Sequence, residues 1–251
     1  MQFAVIGNPT IDLIKGRERI GGSVIYTSLT IARLGHAVTI FGNRGADLEF
    51  TTDEVEVRLR ECGNTTKFRF GREFRIEEKS EEISVEDLRD LEGRVIHCAP
   101  VFREIGLELL DYLREKAAFL SVDAHGFLRK EEKGRVFLER PDRKIKADFI
   151  KVNEEEAGYL DAEAGVLAIT RGEKGARIIA EKEYDIPSFP VKVVDCIGAG
   201  DVFCGAFLVR YLETKDAYEA GVFASGAASL SCQGRGIASI PTRKRVIERI
   251  S

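Results

Sequence analysis

Residues 193–210 read V-V-D-C-I-G-A-G-D-V-F-C-G-A-F-L-V-R. Val193 and Val194 are β-branched and suit the end of a strand, Gly198, Ala199 and Gly200 form a turn, and from near Asp201 apolar residues recur at helical spacing. The stretch therefore predicts a strand, a Gly-rich turn and a helix start. Two glycines let successive N–H groups point into one concavity, where the helix N-terminus adds partial positive charge, so the turn suits an anion. A carboxylate there would repel that anion, and Asp201 needs a separate task. General base fits: the helix dipole favours the ionised form, ready to take a proton from a substrate hydroxyl while nearby amides stabilise a transferring phosphoryl group. A bare G-x-G-D is also met where the glycines only let a helix pack closely on a strand, with Asp201 as a first-turn acid.

The rest of the chain bounds these readings. Its 251 residues suffice for one full α/β domain or two small ones, and no linker, low-complexity run or repeat argues for two. The net charge of −4 comes from intermixed acids and bases, so no basic face announces nucleic acid or a membrane, and a small ligand is expected. The start, M-Q-F-A-V-I-G-N-P-T, lacks the pattern of a signal peptide, which predicts a cytoplasmic protein. Five cysteines without a C-x-x-C pair read as buried thiols, and three histidines lack zinc-ligand spacing.

The segment D-C-I-G-A-G-D-V-F resembles the second signature of the ribokinase-like, or PfkB, family of carbohydrate kinases, D-T-x-G-A-G-D followed by an aromatic residue. Asp195, Gly198, Ala199, Gly200, Asp201 and Phe203 match, and Cys196 replaces the usual threonine. The resemblance implies that Asp201 is the catalytic base and that Gly198, Ala199 and Gly200 form the anion hole. The change to Cys196 removes a hydroxyl that helps organise this loop and a nearby monovalent cation, which leaves a potassium requirement open. The implied fold is a three-layer α/β/α ribokinase-like domain over residues 1–251, with a mostly parallel central sheet and a small inserted β lid at about 13–20 and 54–79.

Taken in order, Phe3 to Gly7 reads as a central strand buried on both faces, with its end near the site. Asn8 and Asp12 follow; the resemblance places Asp12 on substrate hydroxyls, and a turn-forming Asx residue is the alternative. Gly21 to Gly35 resembles the family's first signature, a G-G turn starting a helix. Gly21 and Gly22 would let substrate approach the backbone. Tyr26 stands where sugar-binding members have asparagine, and either stacks on a ring or fills a helix interface. Val38 to Phe41 predicts a strand, followed by a turn containing Asp47. Glu54 to Lys79 alternates apolar and charged residues, as strands with one wet face do. The resemblance makes that segment a water-excluding lid whose other face dimerises in many members.

Val95–Cys98 and Ala118–Val122 predict buried strands flanking an amphipathic stretch. D-A-H-G-F-L-R then resembles a D-x-x-G-x-x-R segment that would put Asp123, Gly126 and Arg129 on the substrate or phosphate side, with His125 read as a packed or surface residue. Strand 149–152 ends in N-E-E-E, resembling N-x-x-E, whose Asn153 and Glu156 would organise Mg²⁺ through water. An Asn cap with first-turn acids gives the same letters. Thr170-R-G-E-K-G resembles T-x-G-x-x-G, in which Thr170, Gly172 and Gly175 would contact nucleotide phosphates; a plain hairpin is the alternative. The implied activity is transfer of the γ-phosphoryl group of ATP, with Mg²⁺, to a small sugar or polyol. Tyr26, the compact lid and D-A-H-G-F-L-R look most like archaeal inositol-kinase-like members. A nucleoside acceptor, or a silent sugar- or nucleotide-binding module, stays open.

Overall fold

Strand β1 (Gln2–Ile6) is buried from its second residue onward and alternates its side chains between two cores, Phe3 and Val5 facing one and Ala4 and Ile6 the other. A strand with two dry faces must lie inside a layered sheet. A computed structural model describes residues 1–88 and 91–251. After β1 come β2 (Thr10–Ile14), β3 (Arg17–Gly21), α1 (Ser23–Arg33), β4 (Ala37–Gly45), β5 (Glu56–Cys62), β6 (Thr66–Phe70) and β7 (Arg75–Glu78). The middle holds β8 (Val95–Cys98), α2 (Leu107–Lys116), β9 (Phe119–Asp123), the one-turn α3 (His125–Leu128), β10 (Arg129–Glu132), β11 (Arg135–Leu138) and β12 (Ile145–Asn153). The chain ends with β13 (Ala162–Thr170), β14 (Ala176–Ile179), β15 (Glu183–Ile186), α4 (Ala199–Thr214), α5 (Ala217–Ser231) and α6 (Arg243–Ile250).

The main sheet has nine strands in the order β15-β14-β13-β12-β9-β8-β1-β4-β5. Pairing is parallel from β13 through β5; β14 runs against these strands, and β15, antiparallel to β14, returns to their direction. One core contains α1, α4 and α5, the other α2 and α3, giving the three-layer α/β/α ribokinase-like arrangement. Phe207 of α4 anchors the first core, fully buried and stacked 4.5 Å from the Phe149 ring.

Two expectations about placement change. The alternating segment 54–79 does not form one small sheet: β5 pairs in parallel with β4 at the rim of the main sheet, and only β6 and β7 enter the second sheet. Alternation signals one dry and one wet face, which an edge strand of a large sheet satisfies as well as a strand of a small one. The second sheet, β10-β11-β7-β6-β2-β3, also recruits residues 129–138, which sequence reading left unassigned. Both of its added hairpins close through two-residue turns with left-handed backbone, Lys15-Gly16 (φ 50° and 75°) and Lys133-Gly134 (φ 50° and 80°). The other change is at Val193 and Val194, which lie in no strand and are 62% and 49% exposed. No strand edge receives them; instead Val194 and Asp195 donate their N–H groups to the Cys232 carbonyl beyond α5, at 2.8 and 3.3 Å. Helix α4 begins at Ala199, with Gly198 as its left-handed cap (φ 81°).

Phe207→Ala would remove a ring that nothing can replace from within a close-packed layer. The expected loss is about 3–5 kcal/mol of folding stability, read as a lower denaturant midpoint at unchanged slope.

Candidate active site

The carboxyl ends of β9, β12 and β13 deliver Asp123, Asn153 and Thr170 to one edge of the sheet, where open α/β folds gather ligands. Two cavities meet there. The larger, about 790 Å³, is walled by Thr170, Gly172, Gly175, Phe189, Val193 and Cys196, together with Ala199 and Gly200. The smaller, about 290 Å³, is walled by Asp12, Gly22, Tyr26, Asn153, Glu156 and Asp201, together with Gly198 and Gly200. Gly200 belongs to both, so the Gly-rich turn is the partition between them.

The turn's geometry explains its glycines. A side chain on Gly198 would begin 2.4 Å from the ring of Tyr26, and one on Gly200 would begin 3.0 Å from the ammonium of Lys151. The ring of Tyr26, 4% exposed, packs under the turn, as the interface-filling alternative expects, and it also lines the smaller cavity. Ala199 N–H donates to Cys196 O at 3.1 Å and Asp201 N–H to Gly198 O at 3.0 Å. Among the described residues, this leaves the amides of Gly198 and Gly200, rather than all four of the turn, for a ligand.

Beneath Gly200 lies a buried polar cluster. Lys151 Nζ donates to Asp123 Oδ2 at 3.0 Å, the ring of His125 bonds Asp123 Oδ1 through Nδ1 at 2.7 Å, and His125 Nε2 lies 3.3 Å from Ser23 Oγ. Ser23 also stands beside the carboxylate of Asp201, whose pKa its hydroxyl lowers. Burial alone would push Asp123 up, but His125 and Lys151 together hold it well below the usual carboxylate range. Burial would push the Lys151 ammonium down, and Asp123, Glu156 and Asp201 raise it instead. Asp201 itself is raised by burial, against the opposing pull of Lys151.

Across the smaller cavity, Asp12 is 5% exposed, accepts from Thr10 Oγ1 at 2.7 Å, and has Gly21 packed against its carboxylate. Burial raises its pKa to about 6, opposed by the Thr10 bond and reinforced by Asp201. Asn153 and Glu156 bond reciprocally, each side chain accepting the other's N–H at 2.8 Å. The alternative reading of N-E-E-E as a cap is therefore correct, and both groups still face the cavity. One Glu156 oxygen is left by this bond for a hydrated Mg²⁺, whose preference for hard oxygen and retained waters the pair fits.

Some expectations are displaced. Asn8 is fully buried and lines neither cavity; it accepts from Asn43 N–H and donates to Glu81 O, fastening loop to strand. Asp123 is also walled off and acts from behind, through His125 and Lys151. Asp47 accepts from Thr65 Oγ1 and is structural. His125 is packed, as one of its two readings has it, and it also lines the smaller cavity. Of the cysteines read as buried, Cys196 is exposed and Cys62 half-buried. Lys151 and Ser23 were missed outright; the signal for Lys151 was a lone cation inside the apolar run F-I-K-V. Residues 171–175 form a 3₁₀ turn joining the antiparallel pair β13 and β14, consistent with the hairpin alternative, and they also wall the larger cavity.

The raised Asp12 makes the site costly to the fold. A carboxyl whose folded pKa exceeds its unfolded value contributes stability that is complete below about pH 4 and disappears as pH rises through about 6. Asp12→Asn removes that loss. The variant should therefore gain roughly 1–3 kcal/mol at pH 8 and little at pH 4, in paired thermal-unfolding curves; equal shifts at both pH values would contradict the raised carboxyl.

The pfkB family carbohydrate kinase profile matches residues 73–244. Ribokinase of Bacillus subtilis is 43% identical over 117 residues, 42% of this chain and 40% of that protein. A putative sugar kinase of Pyrococcus horikoshii is 40% identical over 111 residues, 41% of this chain and 36% of its own length. The matched stretches thus span less than half of those relatives. A pyrophosphate-dependent kinase of the ribokinase family, solved with a pyrophosphate analogue and myo-inositol, superposes with a TM-score of 0.83 at 22% identity, over 98% of this chain and 99% of the other. Among the described residues, no helix is long and apolar enough to cross a membrane. With the profile covering most of its length, the chain belongs to the pfkB family of carbohydrate kinases.

Proposed function

We propose that this chain transfers the γ-phosphoryl group of ATP to a hydroxyl of a small sugar or polyol, an inositol-like ring being favoured. The observation that carries the reading is the single glycine, Gly200, that divides two cavities of different chemistry, with the Asp201 carboxylate on the smaller side. The larger cavity, with Phe189, Pro190 and Val191 on its wall, has the volume and apolar lining a nucleotide base needs. That lining favours ATP over a bare pyrophosphate donor. The smaller cavity suits a six-membered polyol: Asp12 would orient hydroxyls, while Phe68, Phe70, Phe74 and Tyr26 offer apolar faces. Its volume is tight for a whole nucleoside.

In this reading Asp201 takes the proton from the acceptor hydroxyl and the Gly198 and Gly200 amides receive the developing charge, assisted by the nearby Lys151 ammonium. Asn153 and Glu156 would hold Mg²⁺ through water, and the ion would neutralise the phosphates. Thr170, Gly172 and Gly175 would lie along the donor phosphates. The second sheet, placed over the smaller cavity by Phe68, Phe70 and Phe74, would act as the lid that excludes water as a competing acceptor. Retention of Asp201 and of a donor cavity beside it favours chemistry over silent binding.

ADP release should be followed with ATP, Mg²⁺ and, in turn, myo-inositol, D-ribose, D-fructose and cytidine. Turnover is expected with a polyol or sugar, and Asp201→Asn should lower it by about 10²-fold or more while the unfolding midpoint persists. Binding of acceptor and ATP without any ADP release would instead identify a silent module.

A further inference from the structure

His125 and Ser23 have no part in the reading above, yet they join Asp201 to a buried ion pair. Three elements converge to make the chain: Ser23 opens α1, His125 opens α3, and Asp201 lies in the first turn of α4. Ser23 and His125 are 4% and 5% exposed. A nitrogen of His125 and oxygens of Asp123 and Asp201 lie within 4.8 Å of one another. That grouping is no cation site, because Lys151 already occupies Asp123 Oδ2. Since Asp123 accepts from Nδ1, the Nε2 lone pair of a neutral His125 is the end turned toward Ser23 Oγ.

We propose that His125, acting through the Ser23 hydroxyl, receives the proton that Asp201 takes from the acceptor, and that Asp123 holds the imidazolium so formed. The inference rests on the assignment of Asp201 as base. The need for such a step follows from the setting of Asp201, half-buried in the cavity wall, where lost hydration raises its pKa and so tends to keep the proton it accepts. With the lid closed, water is not at hand to remove it. In the step, the Asp201 carboxyl O–H breaks and its proton joins Ser23 Oγ, while the proton originally on Ser23 passes to His125 Nε2. Asp201 is again a carboxylate, Ser23 is unchanged, and His125 carries one positive charge. The proton then leaves from His125 to water in the smaller cavity, whose wall the ring forms, once product has gone. His125 is a positioning residue here, since it acts on the base and not on substrate.

The charges facing His125 suit the task. Two carboxylates, Asp123 on β9 and Asp201 on α4, face it together with one ammonium, Lys151 on β12. His97 on β8 is neutral, since burial pushes its pKa down to about 4, and its Nδ1 bonds Ser121 Oγ, while Asp12, Tyr26, Arg129 and Glu156 share the cavity wall with His125.

The test uses the full chain with ATP, Mg²⁺ and whichever of myo-inositol, D-ribose, D-fructose or cytidine turns over fastest. His125→Gln, which keeps a polar side chain of similar reach, and Ser23→Ala should each lower kcat by about 10-fold with both KM values within about twofold. Each should also convert a curved dependence of kcat on D₂O fraction into a linear one. Should His125→Gln not fold, Ser23→Ala carries the test alone. A second arm needs no turnover: with three histidines in the chain, the ring ¹⁵N signals of His125 report which nitrogens carry a proton, and Asp201→Asn and Ser23→Ala should each change the Nε2 signal. Native kcat and curvature in both variants, or parallel loss of melting temperature and KM with kcat unchanged, would overturn the relay. An inactive Asp201→Asn beside fully active His125→Gln and Ser23→Ala defeats the relay alone; an active Asp201→Asn defeats the base assignment as well.

Discussion

The site depends on one buried ion pair. Lys151 sits in a strand whose inner residues are closed off from water, at 5% exposure, where an unpartnered ammonium would cost several kcal/mol. Asp123 lies directly across the ladder from it, the two being Cα partners in the parallel pairing of β9 and β12. Because side chains alternate faces along a strand, a slip of one residue would send the ammonium to one side of the sheet and the carboxylate to the other. The pair therefore fixes the register of two central strands and, with it, the points at which their carboxyl ends release the chain. Its position also constrains what can stand above it: a side chain on Gly200 would begin only 3.0 Å from Lys151 Nζ, so the ammonium would have to shift.

A second consequence is electrostatic. Asp12, Glu156 and Asp201 line the smaller cavity, with Asp123 buried behind it, and the cations that balance them are themselves fixed. Arg129 lies over the rings of Phe74 and Phe68, at 5.1 and 5.7 Å, and donates to Val101 O, so its charge cannot swing away. Asp123 takes two partners and stays ionised; Asp12 takes one neutral hydroxyl and is raised. Similar carboxylates are thereby separated into one that anchors and others that keep affinity for a proton, which is the arrangement acid–base chemistry needs. The cost appears as stability withheld from the fold at neutral pH.

The legible parts of this molecule were those encoded locally. The G-A-G-D turn, the buried run of β1, the G-G start of α1 and the Asn153–Glu156 spacing each lie within a few residues, and the three-layer α/β/α fold was implied by the resemblance those motifs carry. What escaped depends on contacts across the chain. Whether β5 joins the main or the second sheet is decided by which edge is free, and its alternation is the same in either place. Val193 and Val194 have strand propensity, but they meet the Cys232 carbonyl rather than a strand edge. Asn8 carries the right chemistry for a ligand and spends it on Asn43 and Glu81, 35 and 73 residues away. His125 looked unremarkable because its partners, Ser23 and Asp123, are placed by different elements.

The two sheets are linked through the same turn. Arg19, on β3 of the second sheet, pairs with Asp195, whose other oxygen accepts from Ile197 N–H at 3.1 Å and so shapes the approach to Gly198. Asp12 lies directly opposite Arg19 in the β2–β3 ladder. The strand pair that carries the acceptor-side carboxylate thus also holds the loop that separates the cavities. Any displacement of β2 and β3 away from the main sheet must either stretch the Arg19–Asp195 pair or carry Asp195 with it, loosening the amides of Gly198 and Gly200. A half-exposed pair of this kind contributes little to overall stability, so its value is geometric. It makes the Gly-rich turn and the Asp12 wall of the smaller cavity parts of one mechanical unit, and a site assembled in that way is complete only when the second sheet is in place.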